Sequence, residues 1–312
     1  MRCIGGWTAI FIFFTVVAMH GLEMLWPVNS HAADYPVIEI DDGMYVRYGV
    51  HELMSQANNG NIGNSGIIVG SESVAVIDPG GSFVAGGRLR AAIRNVTELP
   101  VRYIILTHFH PDHVLGAAVF ASTAKILAHK NFARAVAQRR EFYTQRIAQL
   151  MGDDSPEFLL PDVAVDDVIE IDLGDRRLIL RAHQTAHTDN DLTITDPLTA
   201  TLWAGDLVFQ GRTPALDGSL RGWLKVLAEL DETEYSRIIP GHGQAGSWSA
   251  VVQPQLDYLA ELASRVKRNI VQGVGLSALV ATSEGETDGN WRLFDMQHQT
   301  NLSKAYTELE WE

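Results

Sequence analysis

The chain has 312 residues, of which 46% are hydrophobic, and a formal net charge of −14 at pH 7. This length and apolar content can bury a substantial core, and we predict one undivided α/β domain over residues 33–312. The acidic charge argues against nucleic-acid binding, since no basic stripe offsets a field that repels phosphates. The only cysteine is Cys3, so the predicted domain has neither a disulfide nor a cysteine nucleophile.

Residues 1–32 have the layout of a secretory signal peptide. Arg2 precedes an apolar run at 7–19, and Ser30-His31-Ala32 places small residues at the positions that a signal peptidase recognises. The run is shorter than the ~20 residues of a membrane-spanning helix. We therefore predict cleavage after Ala32, a periplasmic or secreted protein, and no stable membrane span after cleavage. An uncleaved N-terminal membrane anchor is the alternative.

Strand-like and helix-like runs then follow in two successive halves. The first half has strands at 66–69, 74–77, 103–106 and 125–127, with helices near 86–95 and after residue 113. The second has strands at 168–171, 178–180, 192–195, 202–204 and 238–239, with helices at 219–230 and 253–271. Two strand-rich halves flanked by helices predict two sheets packed face to face and covered outside by helices.

A long helix is predicted between the halves, over residues 131–151. It contains Arg139, Arg140 and Arg146, which fit a solvated face. The alternative is that this helix and the loop after Asp153 form one wall of a substrate cleft.

The segment His108-Phe109-His110-Pro111-Asp112-His113 follows a buried-looking strand. Residues two apart at a strand end project to the same side, so His108 and His110 can bind one ion through neutral imidazoles. Asp112 and His113 point elsewhere and suit a second cation, roughly 3.5–4 Å from the first in hydrolytic metal pairs. Four ligand-type residues in six favour a metal site over a polar loop that is merely rich in histidine.

Three further ligand candidates come later, each in a turn that follows a strand-like run. They are His187 in Thr185-Ala186-His187-Thr188-Asp189-Asn190-Asp191, Asp206 in Ala204-Gly205-Asp206, and His242 in Pro240-Gly241-His242-Gly243. Taken singly, each suits a surface or capping residue better than a ligand. Their order and context behind the 108–113 segment favour ligands.

This order of residues resembles the five-part signature of the metallo-β-lactamase-fold hydrolases, from about Gly66 to Gly243. The resemblance implies an α/β fold of four layers, an αββα sandwich. It also implies that a first metal is held by His108, His110 and His187, a second by Asp112, His113 and His242, and that Asp206 bridges the two. Asp78, in Val76-Ile77-Asp78-Pro79-Gly80-Gly81, would orient the metal-binding loop without binding metal.

Two positions distinguish members of this superfamily. Many lactam-cleaving members have cysteine or serine where this chain has Asp206, whereas glyoxalase II-like and general hydrolases have aspartate. Diiron oxygen-reducing relatives have glutamate at the position of His110. The all-imidazole first site favours zinc, so we predict two Zn²⁺ ions, with iron or manganese as the alternative.

A narrower resemblance involves the segments 204–209, 212–214 and 217–224 together with the exported N-terminus. They are similar to zinc metallohydrolases associated with quinoprotein relay systems, which implies a periplasmic setting and a quinoprotein partner but no defined substrate. Weak candidates for substrate contacts follow Asp206, each with a helix-surface or capping role as its alternative: Arg212, Ser219, Trp223 and Lys225.

The predicted function is an exported dinuclear zinc hydrolase. Two cations would share a bridging water, lower its pKa and leave a hydroxide to attack a small-molecule ester, thioester or related bond. Asp112 is the predicted catalytic residue, which would orient this hydroxide and move its proton. The alternatives are an iron-dependent oxidoreductase of the same fold, a periplasmic β-lactamase, and a non-catalytic accessory protein that binds metal. His183 stays outside the predicted ligand set.

Overall fold

The computed structural model describes residues 35–153 and 156–311. The predicted leader, residues 1–32, lies outside them. The strands are β1 (Ile38–Asp41), β2 (Met44–Arg47), β3 (Ser65–Val69), β4 (Val74–Ile77), β5 (Val101–Ile105), β6 (Lys125–His129), β7 (Val163–Val165), β8 (Val168–Asp172), β9 (Arg177–Ala182), β10 (Leu192–Asp196), β11 (Thr201–Phe209) and β12 (Arg237–His242). The helices are α1 (Phe83–Val96), α2 (Pro111–Val114), α3 (Phe132–Met151), α4 (Leu220–Asp231), α5 (Trp248–Val251), α6 (Gln253–Val271), α7 (Leu276–Ala281) and α8 (Phe294–Leu309), with a 3-10 turn at Leu115–Phe120.

The strands of the first half build one sheet, in the order β1-β2-β3-β4-β5-β6-β7. Strands β1 to β4 pair antiparallel, and β4 to β7 pair parallel. Alternate side chains take opposite faces of a strand, so Ile67 and Val76 pack outward with Leu89 of α1, whereas Ile68 and Ile77 pack inward. The strands of this sheet's centre are buried on both faces.

The second half builds the other sheet, in the order β12-β11-β10-β9-β8. Its pairs are antiparallel except for β11 with β12. Leu180 and Trp203 face the first sheet and share a core cluster with Ile68 and Ile77. Leu202 and Ile238 face the other way and pack with residues of α4, α6 and α8.

Three apolar layers therefore separate a helical layer, two sheets and a second helical layer. This arrangement confirms the predicted αββα sandwich of two sheets covered outside by helices. No helix among residues 35–153 and 156–311 is both long and apolar enough to cross a membrane.

The predicted positions of two ligand candidates need correction. Asp206 and His242 were expected in turns after strands, but Asp206 lies within β11 and His242 is the last residue of β12. Gly205 adopts a φ of +52°, and the register of β11 against β12 shifts at this residue. Because glycine tolerates this left-handed conformation, β11 bends around Gly205 and continues to Phe209 instead of ending there.

Candidate metal centre

The 108–113 segment leaves the carboxyl end of β5 and turns at Pro111 into the short helix α2. The Pro111 ring suits the first helical position, where no intrahelical donor is needed. The turn lets His108 and His110 face one side of the site while Asp112 and His113 face another. His108 and His113 are almost fully buried, and His110 and Asp112 keep small exposed fractions of 14% and 12%.

Three imidazoles meet in a first donor group, which also includes Asp206. His108 Nε2 lies 2.9 Å from His110 Nδ1, and His187 Nε2 lies 3.1 Å from the same atom. Two nitrogens that bind one tetrahedral ion at ~2.0–2.1 Å stand about 3.3 Å apart, so the three rings have nearly the required spacing.

Burial keeps two of these rings in the form that binds metal. It lowers the pKa of His108 well below its ordinary value and lowers the pKa of His187 to about 3. Both imidazoles are therefore neutral at pH 7, and a neutral ring nitrogen has the free lone pair that a cation needs.

A second donor group contains Asp112, His113 and His242. Asp112 Oδ2 lies 3.5 Å from His113 Nε2 and 3.4 Å from His242 Nε2. Burial lowers the pKa of His113, but the carboxylates of Asp206, Asp112 and Asp78 outweigh it and raise that pKa well above its ordinary value. The surroundings of His113 thus favour positive charge.

Asp206 lies between the two groups. Its Oδ2 is 3.6 Å from Nε2 of both His108 and His187, and 3.3 Å from His242 Nε2. Its Oδ1 is 3.2 Å from His113 Nε2. Burial raises the pKa of Asp206, but His242, His113 and His108 lower it well below its ordinary value, so the side chain is a carboxylate. One carboxylate thus reaches both donor groups.

The donor chemistry fits divalent cations. His113 Nε2 and Asp206 Oδ1 lie 3.2 Å apart but not in hydrogen-bonding geometry, and neither atom has a hydrogen-bond partner among the described residues, which is costly unless something else satisfies them. Neutral imidazoles and carboxylates around these atoms are ligands that zinc accepts. Gly241 leaves room for the carboxylate, because a Cβ there would stand 2.0 Å from Asp206 Oδ1.

Besides His110, which contacts Asp217, the other four histidines are held by the ring nitrogen that faces away from the centre, through contacts that fix the ring orientation. These contacts are His108 Nδ1 with Thr107 Oγ1 at 3.0 Å, His113 Nδ1 with Asp78 Oδ2 at 2.9 Å, His187 Nδ1 with Ala215 O at 2.6 Å and His242 Nδ1 with Ile62 O at 2.8 Å.

Asp217 is a site residue whose role was not predicted from the sequence. Its Oδ2 lies 3.3 Å from His110 Nε2 and accepts a hydrogen bond from Arg139 Nη1 at 2.7 Å, while Lys304 contacts Oδ1. Burial raises the pKa of Asp217, but His110 and Lys304 outweigh it and lower that pKa strongly. Because His110 and Lys304 are far from Asp217 in the chain, only the fold reveals the contact.

Helix α3 borders the metal centre, which favours the cleft-wall interpretation for part of it. Arg139 reaches Asp217, and the ring of Tyr143 lies 6.0 Å from that of His110. Arg140 instead donates to Phe158 O at 3.4 Å, away from the donor groups.

The four weak candidates for substrate contacts differ in their surroundings. Ser219 caps α4 by accepting from Gly222 N, Trp223 is buried and donates to Leu207 O at 2.9 Å, and Lys225 is exposed beside Glu229. These three have structural or surface roles. Arg212 is half-buried, donates to Glu52 O at 3.0 Å and lies within electrostatic reach of Asp112 and Asp206.

A family model described as the metallo-beta-lactamase superfamily matches residues 58–242, more than half of the chain. Among curated proteins, a linear primary-alkylsulfatase of Pseudomonas sp. (strain ATCC 19151) is 32% identical over 60 residues. That alignment covers 19% of this chain and 11% of the alkylsulfatase.

Solved structures are similar over a longer range. A metallo-beta-lactamase from Pontibacter korlensis has 20% identity and a TM-score of 0.59, covering 72% of this chain and 99% of that one. The inverting sec-alkylsulfatase Pisa1 from Pseudomonas sp. has 18% identity and a TM-score of 0.68, covering 88% of this chain and 50% of that one. The chain thus spans about half the length of Pisa1. At these identities the structural likeness shows the fold alone.

Proposed function

This chain belongs to the metallo-beta-lactamase superfamily of metal-dependent hydrolases, and we propose that it is an exported dinuclear zinc enzyme that cleaves a small-molecule ester, thioester or related bond. The observation that supports this most is the position of Asp206. Its carboxylate faces imidazoles of both donor groups at 3.2–3.6 Å. A carboxylate shared by two ligand groups suits two closely spaced cations, as in many hydrolytic sites.

The ligand assignment follows the two groups. His108, His110 and His187 would hold the first ion, Asp112, His113 and His242 the second, and Asp206 both. Two bound cations would supply Lewis acidity toward a substrate oxygen and lower the pKa of water.

In this proposal Asp112 acts on the attacking water. Burial raises the pKa of Asp112, but His113 and His242 lower it below its ordinary value, so the side chain is ionised at pH 7. Its Oδ2 faces these two imidazoles, and its Oδ1 makes no hydrogen bond with any described residue. Asp112 Oδ1 is therefore available to orient the water and to accept its proton.

The position of Arg212 favours a substrate that has a negatively charged group. Burial lowers the pKa of its guanidinium, while Asp112 and Asp206 oppose that change, so the cation lies close to the reacting region. A guanidinium there can bind two oxygens of a carboxylate or sulfate. Since two similar proteins are named alkylsulfatases, sulfate esters are a specific candidate within the proposed ester class.

Export and a quinoprotein partner are part of the same proposal. The predicted leader and the likeness of segments 204–209, 212–214 and 217–224 to relay-system hydrolases support a periplasmic setting. Cell fractionation would test it: the full chain should enter the periplasm, and a chain that lacks residues 2–32 should stay in the cytoplasm. Equal distribution of the two chains would contradict export.

The substrate class is tested by a screen of esters, thioesters, sulfate esters, lactones and lactams with the zinc-loaded protein. We expect hydrolysis of an ester-type substrate that a chelator abolishes and zinc restores. Asp112→Asn should lower kcat by about 10²- to 10⁴-fold, the usual contribution of a general base. Asp172→Asn, an exposed carboxylate on β8, is the control. Activity on lactams alone, or oxygen-dependent activity with iron, would overturn the proposal.

A further inference from the structure

A second cavity, of about 670 Å³, lies beside the metal centre. Its walls come from the end of β11, from α6 and from residues 286–298, and they include none of the seven proposed metal ligands. Phe209 connects the two regions, because it lines this cavity and its ring also stacks on His242 with centroids 5.1 Å apart.

Aromatic rings form much of the cavity wall. The ring of Tyr258 lies 5.7 Å from that of Trp291 and 6.3 Å from that of Phe294, in tilted and edge-on arrangements. Phe294 in turn stacks on His298 at 4.5 Å. All of these rings line the same cavity, and the faces of aromatic rings attract organic cations.

Charges on the wall reinforce this preference. Arg265 is paired with Glu286 through two contacts of 2.8 and 2.9 Å, so these two lining charges offset each other. Two further lining carboxylates, Asp257 and Asp288, form no ion pair with a described residue. Glu261, the remaining lining carboxylate, pairs with Arg268, so the charged side chains that line the cavity are mainly acidic and favour a positive ligand.

A chain of hydrogen bonds sets the proton position on His298. Asn301 Oδ1 accepts from Leu216 N at 3.0 Å, which orients the amide so that Asn301 Nδ2 donates to Tyr258 Oη at 2.8 Å. Tyr258 Oη lies 3.0 Å from His298 Nδ1, and because Oη already accepts from Asn301, this arrangement favours donation of the hydroxyl proton to Nδ1. The proton of the neutral His298 ring is therefore on Nε2.

This Nε2–H group is the second indication of a ligand. His298 is 6% exposed and lines the cavity, and its Nε2 has no hydrogen-bond partner among residues 35–153 and 156–311. Glu286 Oε2 stands 3.6 Å away, beyond hydrogen-bond distance, and is already held by Arg265. A buried donor without a partner is costly, and an acceptor oxygen on a ligand would satisfy it.

We propose that this cavity binds a small organic cation that also has an acceptor oxygen, an amino alcohol or its quaternary form. The faces of Tyr258, Trp291 and Phe294 and the carboxylates of Asp257 and Asp288 hold the ammonium group. His298 Nε2–H donates to the oxygen.

Calorimetric titration of the full-length protein with choline tests the proposal against a neutral molecule of the same shape, 3,3-dimethylbutan-1-ol. Choline should bind, and the neutral alcohol should bind roughly 2- to 30-fold more weakly, the range of a cation–π contribution. Tetramethylammonium, which lacks the oxygen, should also bind more weakly than choline. No choline binding at millimolar concentration, or equal affinity for the neutral alcohol, would overturn the proposal.

Variants locate the binding to this cavity. Trp291→Leu should weaken choline binding by at least about 5-fold, since one aromatic face is lost. Trp311→Leu, which changes a tryptophan that is 85% exposed, is the matched control and should bind choline normally. Both variants should keep the zinc content of the parent protein, which shows that they fold. Normal choline binding by folded Trp291→Leu would contradict the assignment of the site.

Discussion

Asp78, directly after β4, faces His113 of the short helix α2, with Asp78 Oδ2 2.9 Å from His113 Nδ1. Asp78 also accepts hydrogen bonds from the backbone N–H and the hydroxyl of Thr107, at 2.8 and 2.7 Å. It adopts an unusual φ of +47°, which a non-glycine residue adopts only when its surroundings require it. One carboxylate thus joins the start of the 108–113 segment to a ring of the second donor group.

Substitution of Asp78 tests this role. Asp78→Asn places an amide where Thr107 and His113 both offer donors, so the His113 ring loses its fixed orientation. We expect the affinity for the second zinc ion to fall about 10- to 100-fold, as for other residues that orient metal ligands. Competition with a chromophoric chelator measures this affinity, and Asp172→Asn is the exposed control. Unchanged affinity for both ions would contradict the role of Asp78.

Asp217 should act on the first donor group in the same way. Asp217→Asn removes the negative charge that faces His110 and leaves Arg139 and Lys304 without their shared partner. We expect about 10-fold weaker binding of the first zinc ion with little change at the second. Asp189→Asn, which loses a partly exposed ion pair with Arg134, provides the control. An equal loss at both ions would indicate a general folding defect instead.

Two adjacent glycines of α1 should respond oppositely to alanine. A Cβ on Gly86 would stand 2.3 Å from the carbonyl oxygen of Gly116, whereas a Cβ on Gly87 would meet nothing within 4 Å. Gly86→Ala should lower the free energy of unfolding by about 1–3 kcal/mol through this clash. Gly87→Ala should raise it by about 0.5–1 kcal/mol through higher helix propensity. Urea unfolding of both variants measures the difference, and equal effects would contradict the packing of α1.

His183 should make stability depend on pH. Burial lowers the pKa of its imidazole to about 4, and Nε2 lies 2.8 Å from Thr193 Oγ1. The unfolded chain therefore takes up a proton near pH 6.5 that the folded chain takes up only near pH 4, and stability is lost as the pH falls between these values. The loss relative to pH 8 should reach about 2 kcal/mol at pH 5.

The matched variant for this prediction is His183→Gln, which keeps a hydrogen-bonding group near Thr193 without a proton that titrates in this range. Urea unfolding at pH 8 and pH 5 should show a smaller loss for His183→Gln than for the parent protein. An equal loss in both proteins would show that other groups cause the acid sensitivity.

The architecture was predicted from the sequence, and the seven candidate ligands named from the sequence come together in two donor groups. The predicted strand at 74–77 and the predicted helix at 253–271 coincide with β4 and α6, because a strong hydrophobic pattern reflects burial directly. The short, partly exposed strands β1 and β2 were not predicted, since four residues with a half-exposed pattern give little periodic signal. The bend of β11 at Gly205 was also not predicted, because a glycine that follows a strand-like run is equally compatible with a bend and with the end of the strand.

The sequence could not show which groups support the ligands. Asp217 and Lys304 reach each other only because α8 packs beside the metal centre. The carbonyl groups of Ala215 and Ile62, which hold His187 and His242, belong to the backbone and have no residue-type signal at all. Such long-range and main-chain contacts depend on the folded arrangement of the loops.

The number of zinc ions bound per chain tests the central claim most directly. Purified protein dialysed against zinc at low micromolar concentration and then analysed for metal should contain two equivalents. Asp206→Ala should contain less than the parent protein, because Asp206 faces both donor groups. One equivalent or less in the parent protein would contradict a dinuclear centre built on Asp206.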